Sequence, residues 1–340
     1  MLTEKDYKKI KQELDECSRP LFFFDDDPDG LCSFLLFYRY KKEGQGICVK
    51  SVPKLDAKFA RKVEEYKPDK VFILDVAVVL EEFVEKIDVP IVWVDHHQPL
   101  DLPKVHYFNP RVNNGAHHPT SSICYHVVKQ DIWLATIGTV GDWFTPDFLD
   151  EFNGQYPTFK IGKMDPGKAL FSTAIGRLAR VFSYLLKGDI KDVMTSIKVL
   201  TRISGPQEIL DAETPQAEFL KKRYEKIEEK YEELLKEAKK NATKDAFLIF
   251  LYPSDQWSFT SELSNELLFH YPKKYIIIGR EKDGEIRMSL RSAKKPILPA
   301  LEKALLGVEG YGGGHEMACG ACVKRTDFER FVENLRRELL

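Results

Sequence analysis

Three unbroken apolar runs each stop at residues that bind cations. Leu21-Phe22-Phe23-Phe24 leads into Asp25-Asp26-Asp27-Pro28-Asp29-Gly30, Val71-Phe72-Ile73-Leu74 into Asp75, and Ile91-Val92-Trp93-Val94 into Asp95-His96-His97. Runs of this length without alternation predict buried strands. Strands over 21–24, 47–52, 70–75 and 90–95 alternate with helical patterns over 31–42, 56–66 and 80–87. That alternation predicts a mostly parallel sheet with helices on its faces. Ahead of it, Thr3 is placed to cap a helix that carries Tyr7, Ile10 and Leu14 on one side.

From Thr120 to about Arg202 the pattern is mainly helical, with a Gly/Pro-bearing loop over 156–167. The longest helical stretch is 214–242, where Phe219, Tyr224, Ile227, Tyr231 and Leu235 recur at helical spacing and Glu218 and Lys222 stand four apart. It reads as an amphipathic connector between two lobes. Strand and helix patterns resume after Asn241: strands at 246–252, 274–279, 285–291 and 316–324, helices at 258–270, 297–306 and 327–338. The expected architecture is α/β: a mostly parallel-sheet domain over 1–205, a connecting helix over 206–243, and a smaller α/β domain over 244–340.

Composition narrows the function. A formal net charge of −2 over 340 residues provides no global positive field, so a polyanion has to be held by local cations or by metals. The six cysteines have no disulfide-framework spacing. Met1–Cys17 is charged and lacks a signal-peptide core, and no run approaches the ~20 apolar residues of a membrane span. The expectation is a soluble cytoplasmic protein.

In an open α/β sheet ligands bind outside the carboxyl ends of the strands, so the three terminated runs point to one metal-rich edge. Asp25, Asp27 and Asp29 are hard oxygen donors suited to Mg2+ or Mn2+. Pro28 stiffens their loop and Gly30 lets it turn into the next helix. Carboxylates held this close repel one another unless cations neutralise them. Asp75, between the two clusters, is placed to bridge two metals. Asp95-His96-His97 adds imidazoles, which suit Mn2+, Fe2+, Co2+ or Zn2+, and Gln98-Pro99 supplies the turn needed to bring both rings to one site. Asp142 follows the small residues Gly138, Thr139 and Gly141, which permit close helix approach. His117-His118 falls near the expected cleft.

Later in the chain, the successive glycines of Tyr311-Gly312-Gly313-Gly314-His315 let backbone N–H groups approach a phosphate, with an imidazole beside them to donate to it, although a flexible loop has the same look. Arg287, Ser289 and Arg291 share one strand face, where Arg291 suits a bidentate phosphate contact. Cys319 and Cys322 read as packing cysteines, since a zinc site lacks two further ligands nearby. Trp257, Phe259 and Tyr311 are candidate base-stacking platforms.

The ordered set of Asp-x-Asp-x-Asp-Gly, a strand-end Asp, Asp-His-His and a later Gly-Asp resembles the DHH phosphoesterase superfamily, and Gly312-Gly313-Gly314-His315 matches the motif of its companion DHHA1 domain. Among members, the chain is most similar to archaeal RecJ-like nucleases, including the short Hef-associated nuclease type. The resemblance implies that Asp25, Asp27, Asp29, Asp75, His96 and Asp142 hold two Mn2+ ions (Mg2+ or Co2+ being substitutes), with Asp75 bridging. It implies that His97 faces the substrate phosphate, that Asp95 orients the histidines, and that Arg291 and Gly312 to His315 grip the substrate. Many relatives carry a His at the head of the first motif, where this chain has Phe23, so Asp25 is expected to take over that ligand role.

The function expected from this pattern is two-metal phosphodiester hydrolysis of single-stranded nucleic acid from an end, in the 3′→5′ sense on DNA and extending to short RNA. A role in DNA repair or replication, and a repair helicase or nuclease partner, are implied by the resemblance. Two alternatives stand beside it: a nanoRNase or cyclic-dinucleotide phosphodiesterase, and a non-catalytic RecJ-like replication or repair partner.

Overall fold

A computed structural model of the chain describes residues 1–340 apart from 51–53, 113, 114, 116 and 254–256. Positions 51 and 52 of the expected strand over 47–52 thus lie outside the described residues. The chain forms two compact units, Met1–Tyr224 and Glu225–Leu340.

The first unit is built on a five-stranded parallel sheet: β1 (Pro20–Asp25), β2 (Gln45–Val49), β3 (Lys70–Leu74), β4 (Ile91–Val94) and β5 (Val105–Phe108), in spatial order β2-β1-β3-β4-β5. The chain leaves β1 in one direction to make β2 and in the other to make β3, so the order reverses between β1 and β3. Ligands bind at such a switch point in doubly wound sheets. Phe22, Phe23 and Phe24 are fully buried, which accounts for the apolar run; each is worth roughly 1.5–3 kcal/mol of transfer free energy. Phe23 meets Phe59 and Phe83 edge-to-face at 5.8 and 5.7 Å, deep in the core. The strand-end residue at the site is instead Asp25.

Helix α1 (Glu4–Glu16) starts at a reciprocal capping box between Thr3 and Asp6. Helix α2 (Pro28–Lys41) begins with Asp27 accepting from the Gly30 N–H at 2.8 Å and Pro28 in its first turn. Gly30 is required here, because a Cβ would come within 2.8 Å of the Asp25 backbone. Residues Leu31 to Phe37 are all buried, so α2 is packed all round, against α3 (Thr120–Val128), α4 (Ile132–Gly141) and α5 (Ala174–Leu185). At Gly138 a Cβ would stand 2.5 Å from Ser121 Oγ, so the glycine is what lets α3 and α4 approach. The expected loop over 156–167 contains a 3-10 turn at Pro157–Phe159, and a short helix, Pro166–Ser172, starts within it.

The division between the units falls inside the long helix α6 (Pro215–Lys240). Its buried stripe is Ala217, Leu220, Tyr224, Ile227, Tyr231, Leu235 and Ala238, while Phe219, expected on that stripe, is 41% exposed.

The second unit carries a mixed sheet of β6 (Phe247–Pro253), β7 (Tyr275–Lys282), β8 (Glu285–Arg291), β9 (Gly310–His315) and β10 (Ala318–Lys324), in order β9-β10-β8-β7-β6. Only β6 and β7 are parallel. Ile286, Met288, Leu290, Ala321 and Val323 face a core closed by α8 (Leu298–Ala304) and α9 (Phe328–Leu339). On β7 and β8 rests α7 (Thr260–His270). The glycine run is therefore an edge strand rather than a loop: Gly312, Gly313 and Gly314 pair with Ala321, Gly320 and Cys319. Among the described residues no helix is long and apolar enough to cross a membrane.

Candidate metal centre at the sheet switch point

The carboxyl ends of β1, β3 and β4 deliver Asp25, Asp75 and Asp95-His96-His97 to one edge, as the three apolar runs predicted. Asp75 adopts a left-handed backbone at φ 64°, a conformation that costs a non-glycine residue energy and recurs at functional sites. Its buried carboxylate takes the Thr120 hydroxyl on Oδ1 at 2.9 Å, and His96 Nε2 lies 3.1 Å from the same oxygen. His96 is buried too, and its Nδ1 is 3.7 Å from Asp142 Oδ2 at the end of α4. One imidazole thus stands between two carboxylates from separate elements.

Asp29 has a different setting. Its buried carboxylate accepts the backbone N–H of Thr120 at 2.7 Å and of Ser121 at 2.9 Å, and the Ser121 hydroxyl as well. It holds the N-terminus of α3, where the orphan amides and helix dipole favour an anion. Asp27 caps α2 through one oxygen. Asp95 is fully buried and lies 2.7 Å from His97 Nδ1, while it accepts the His97 N–H at 3.0 Å, the Tyr107 hydroxyl at 3.1 Å and the Asn109 amide at 3.2 Å. Tyr107 and Asn109, on and just after β5, escaped the sequence reading: β5 is short and only partly buried, so it leaves no apolar run.

The electrostatics register the crowding. Burial first, then repulsion from neighbouring carboxylates, lifts Asp25, Asp75 and Asp142 well above the ordinary carboxylate range. Asp27 is pushed up to about 6 by burial and by Asp29. Burial alone lowers a histidine, but the hydrogen bond to Asp95 and the charges of Asp95, Asp27 and Asp29 raise His97 above its usual value.

Asp75, His96 and His97 offer donor atoms all within 4.8 Å of one another, and His96, His117 and Asp142 form a second such set. Among the described residues, the buried Asp142 Oδ2 has no hydrogen-bond partner. An unsatisfied buried carboxylate oxygen beside imidazole and further acids is a donor set that suits a divalent cation. Of the acids expected to hold ions, Asp75 and Asp142 fall in these sets with His96, Asp25 and Asp27 stand at the end of β1 on the same edge, and Asp29 is engaged at the start of α3. A third set, His118, His126 and Asp147, also gathers within 4.8 Å. There Lys129 Nζ sits 2.8 Å from His126 Nδ1, and that ammonium opposes a metal.

In the second unit, Arg291 is committed to its own surroundings. Nε donates to Asn265 Oδ1 at 2.7 Å, one terminal nitrogen to Ser261 Oγ at 3.1 Å, and the other to the carbonyls of Leu290 and Cys319. Burial lowers its pKa to about 10. Arg287, four residues earlier on the same strand face, has its side chain 56% exposed. Across the sheet Arg287 pairs with Cys322, which pairs with Tyr311, and Ser289 pairs with Gly320, which pairs with Gly313. Tyr311 is 67% exposed and His315 is exposed. A glycine-floored strip flanked by Arg287 and Tyr311 therefore lies open on this face. Phe259 is fully buried against Tyr231 and does not offer a stacking surface. Cys319 and Cys322 are free and buried.

An open parallel sheet gathers acids and imidazoles where its strand order reverses, and a unit with a mixed sheet follows it. The chain belongs to the DHH/DHHA1 superfamily: residues 21–142 match the DHH family, N-terminal domain, and residues 256–339 match the DHHA1 domain. No curated protein sequence matches the chain. Among solved structures, RecJ from Thermus thermophilus in complex with Mn2+ is similar over 98% of this chain at 14% identity and a TM-score of 0.66. This chain covers 54% of that protein, about half its length. Exonuclease RecJ bound to manganese is similar at 14% identity over 98% of this chain and 94% of its own, with a TM-score of 0.59. The DHH domain of a member of a family of ribosomal proteins reaches a TM-score of 0.67 at 14% identity, over 99% and 90% of the two chains. At these identities the likeness is one of fold.

Proposed function

We propose that the chain is a Mn2+-dependent phosphodiesterase that removes nucleotides from an end of single-stranded nucleic acid, DNA foremost, in the 3′→5′ direction. The observation that carries this reading is the convergence of Asp25, Asp27, Asp75, His96 and Asp142 at the sheet switch point, all four acids raised by burial and by repulsion from neighbouring carboxylates. Divalent cations, when bound there, supply a nucleophile at neutral pH and neutralise charge on the phosphoryl oxygens. Asp95 orients the His97 ring through Nδ1 and favours its cationic form, in which Nε2–H would donate to a phosphate oxygen. In the second unit Arg287 supplies a cation for the strand backbone and Tyr311 a ring for a base. The near-neutral chain favours a short or single-stranded substrate over long duplex.

The test is a digestion time course on DNA and RNA oligonucleotides of several lengths and on dinucleotides, labelled at each end in turn, with Mn2+ or with chelator. Mn2+-dependent release of mononucleotides from the 3′ end supports the proposal. Folded protein that cleaves none of them overturns it.

A further inference from the structure

His117 belongs to the second donor set yet to none of the three strand ends. Its ring packs at a tilt against His96, 4.3 Å between centroids, and against Phe144 at 4.8 Å. Its donor nitrogen, one from His96 and an oxygen of Asp142 lie within 4.8 Å of one another. Donors bound to one ion at about 2.0–2.2 Å each stand no more than ~4.4 Å apart. Three donors on one ion stand closer still, so a side-chain adjustment on the order of 1 Å brings all three onto a single cation.

From this geometry we infer that His117 is an imidazole ligand of the metal on the Asp142 side of His96. The inference rests on the functional reading above and deepens it by assigning one of its ions a ligand from outside the three strand ends. The local fold explains the placement. His117 lies just ahead of α3, while Asp142 and Phe144 lie at and just past the end of α4. Gly138 brings those two helices together, and the Phe144 ring packs against the imidazole as well. Asp142 Oδ2, buried and without a hydrogen-bond partner among the described residues, is the anion the cation would satisfy. An imidazole in this shell makes it softer than a set of carboxylates alone and favours Mn2+ or Co2+ over Mg2+.

The experiment is a titration of full-length protein with Mn2+, read by loss of the free-ion EPR signal. It compares wild type with His117→Phe, which keeps a ring against His96 and Phe144 and removes only the nitrogens. Wild type should bind two ions, and His117→Phe should bind one of them at least tenfold more weakly, with an unchanged melting temperature in chelator. Equal stoichiometry and affinity in both overturns the ligand assignment and leaves the functional reading standing. Wild type that binds no Mn2+ overturns both. If His117→Phe does not fold, His117→Cys decides. A thiolate at that position should give a sulfur-to-cobalt charge-transfer band with Co2+ that wild type lacks, and a folded variant without the band overturns the assignment.

Discussion

His96 Nε2 lies 3.1 Å from Asp75 Oδ1, and the two residues sit at the ends of adjacent parallel strands. The strand register sets Asp75 level with Asp95, and His96 follows one residue later, so the pair is placed by the ends of two paired strands. Asp75→Asn and His96→Ala should each lower Mn2+-dependent phosphodiester cleavage by at least ~100-fold, the scale seen when a group that stabilises transition-state charge is removed. Steady-state cleavage of a labelled oligonucleotide at saturating Mn2+ checks this, with circular dichroism as the folding control.

Asp29 should separate from its neighbours on stability. Its carboxylate receives two backbone N–H groups at the start of α3. Asp29→Ala strands both donors in a buried setting, at ~1–3 kcal/mol each, so a loss of ~3–5 kcal/mol is expected. Asp29→Asn keeps acceptor oxygen for one of them and should lose less. Urea denaturation in chelator measures both variants without any contribution from bound metal.

The apolar runs made β1, β3 and β4 legible, because strands buried on both faces need no alternation to be seen. The same rule hid β5, whose Val105-His106-Tyr107-Phe108 is half-exposed. The edge strand β9 was hidden for another reason: glycine has poor strand propensity, and only its register with Gly320 and Ala321 reveals the pairing. The acids and histidines of the site were visible as motif letters, yet their division of labour was not. That Asp29 holds α3 depends on contacts 91 and 92 residues away. That His117 meets Asp142 depends on two helices brought together at a glycine. Phe23 shows the reverse case. As a letter beside the acids it stood out, but strand alternation turns it into the core, and Asp25 occupies the edge.

Without metal, stability should fall as pH rises from about 4 to about 6. Asp27 has a folded pKa of about 6 against an ordinary value near 3.9, so within that window the folded state binds more protons than the unfolded state. Stability therefore declines with rising pH until Asp27 is ionised in both states. Asp25, Asp75 and Asp142 are raised as well and extend the decline upward. Saturating Mn2+ removes the repulsion and should flatten or reverse the slope. Melting temperatures across this range, in chelator and in Mn2+, test the sign.

The Asp95–His97 pair makes a prediction in a higher pH window. Burial alone would depress His97, but Asp95 overcomes that effect and raises it. The stability it contributes is complete below about 6.5, the ordinary histidine value, and is lost as pH rises through the folded pKa. Asp95→Asn removes the charge and keeps the shape, so the His97 pKa should drop, and the alkaline limb of the cleavage profile should move to lower pH with it. Imidazole carbon–proton resonances followed by NMR against pH report the first shift, and the pH–rate profile reports the second. An unchanged His97 titration in Asp95→Asn means the pair does not set its charge.

Arg287 and Arg291 share a strand face and should behave differently. Four guanidinium contacts tie Arg291 to Asn265, Ser261 and two carbonyls, which leaves little of it to grip a phosphate. Arg291→Ala orphans those partners and should cost the protein ~2–4 kcal/mol. Under conditions where the variant is still folded, its affinity for single-stranded DNA should stay close to wild type. Arg287 is mostly in solvent with one long contact to Glu285 at 3.7 Å, so its loss should hardly change stability. As a phosphate cation on the open glycine strip, however, it contributes through released counterions. Arg287→Ala should weaken binding and reduce the slope of log affinity against log salt by about 0.7, the single-strand value for one phosphate contact. Fluorescence anisotropy with a labelled oligonucleotide at several salt concentrations, run beside urea denaturation, separates the two arginines. If Arg291→Ala is stable and binds poorly while Arg287→Ala binds normally, the roles assigned to this face are reversed.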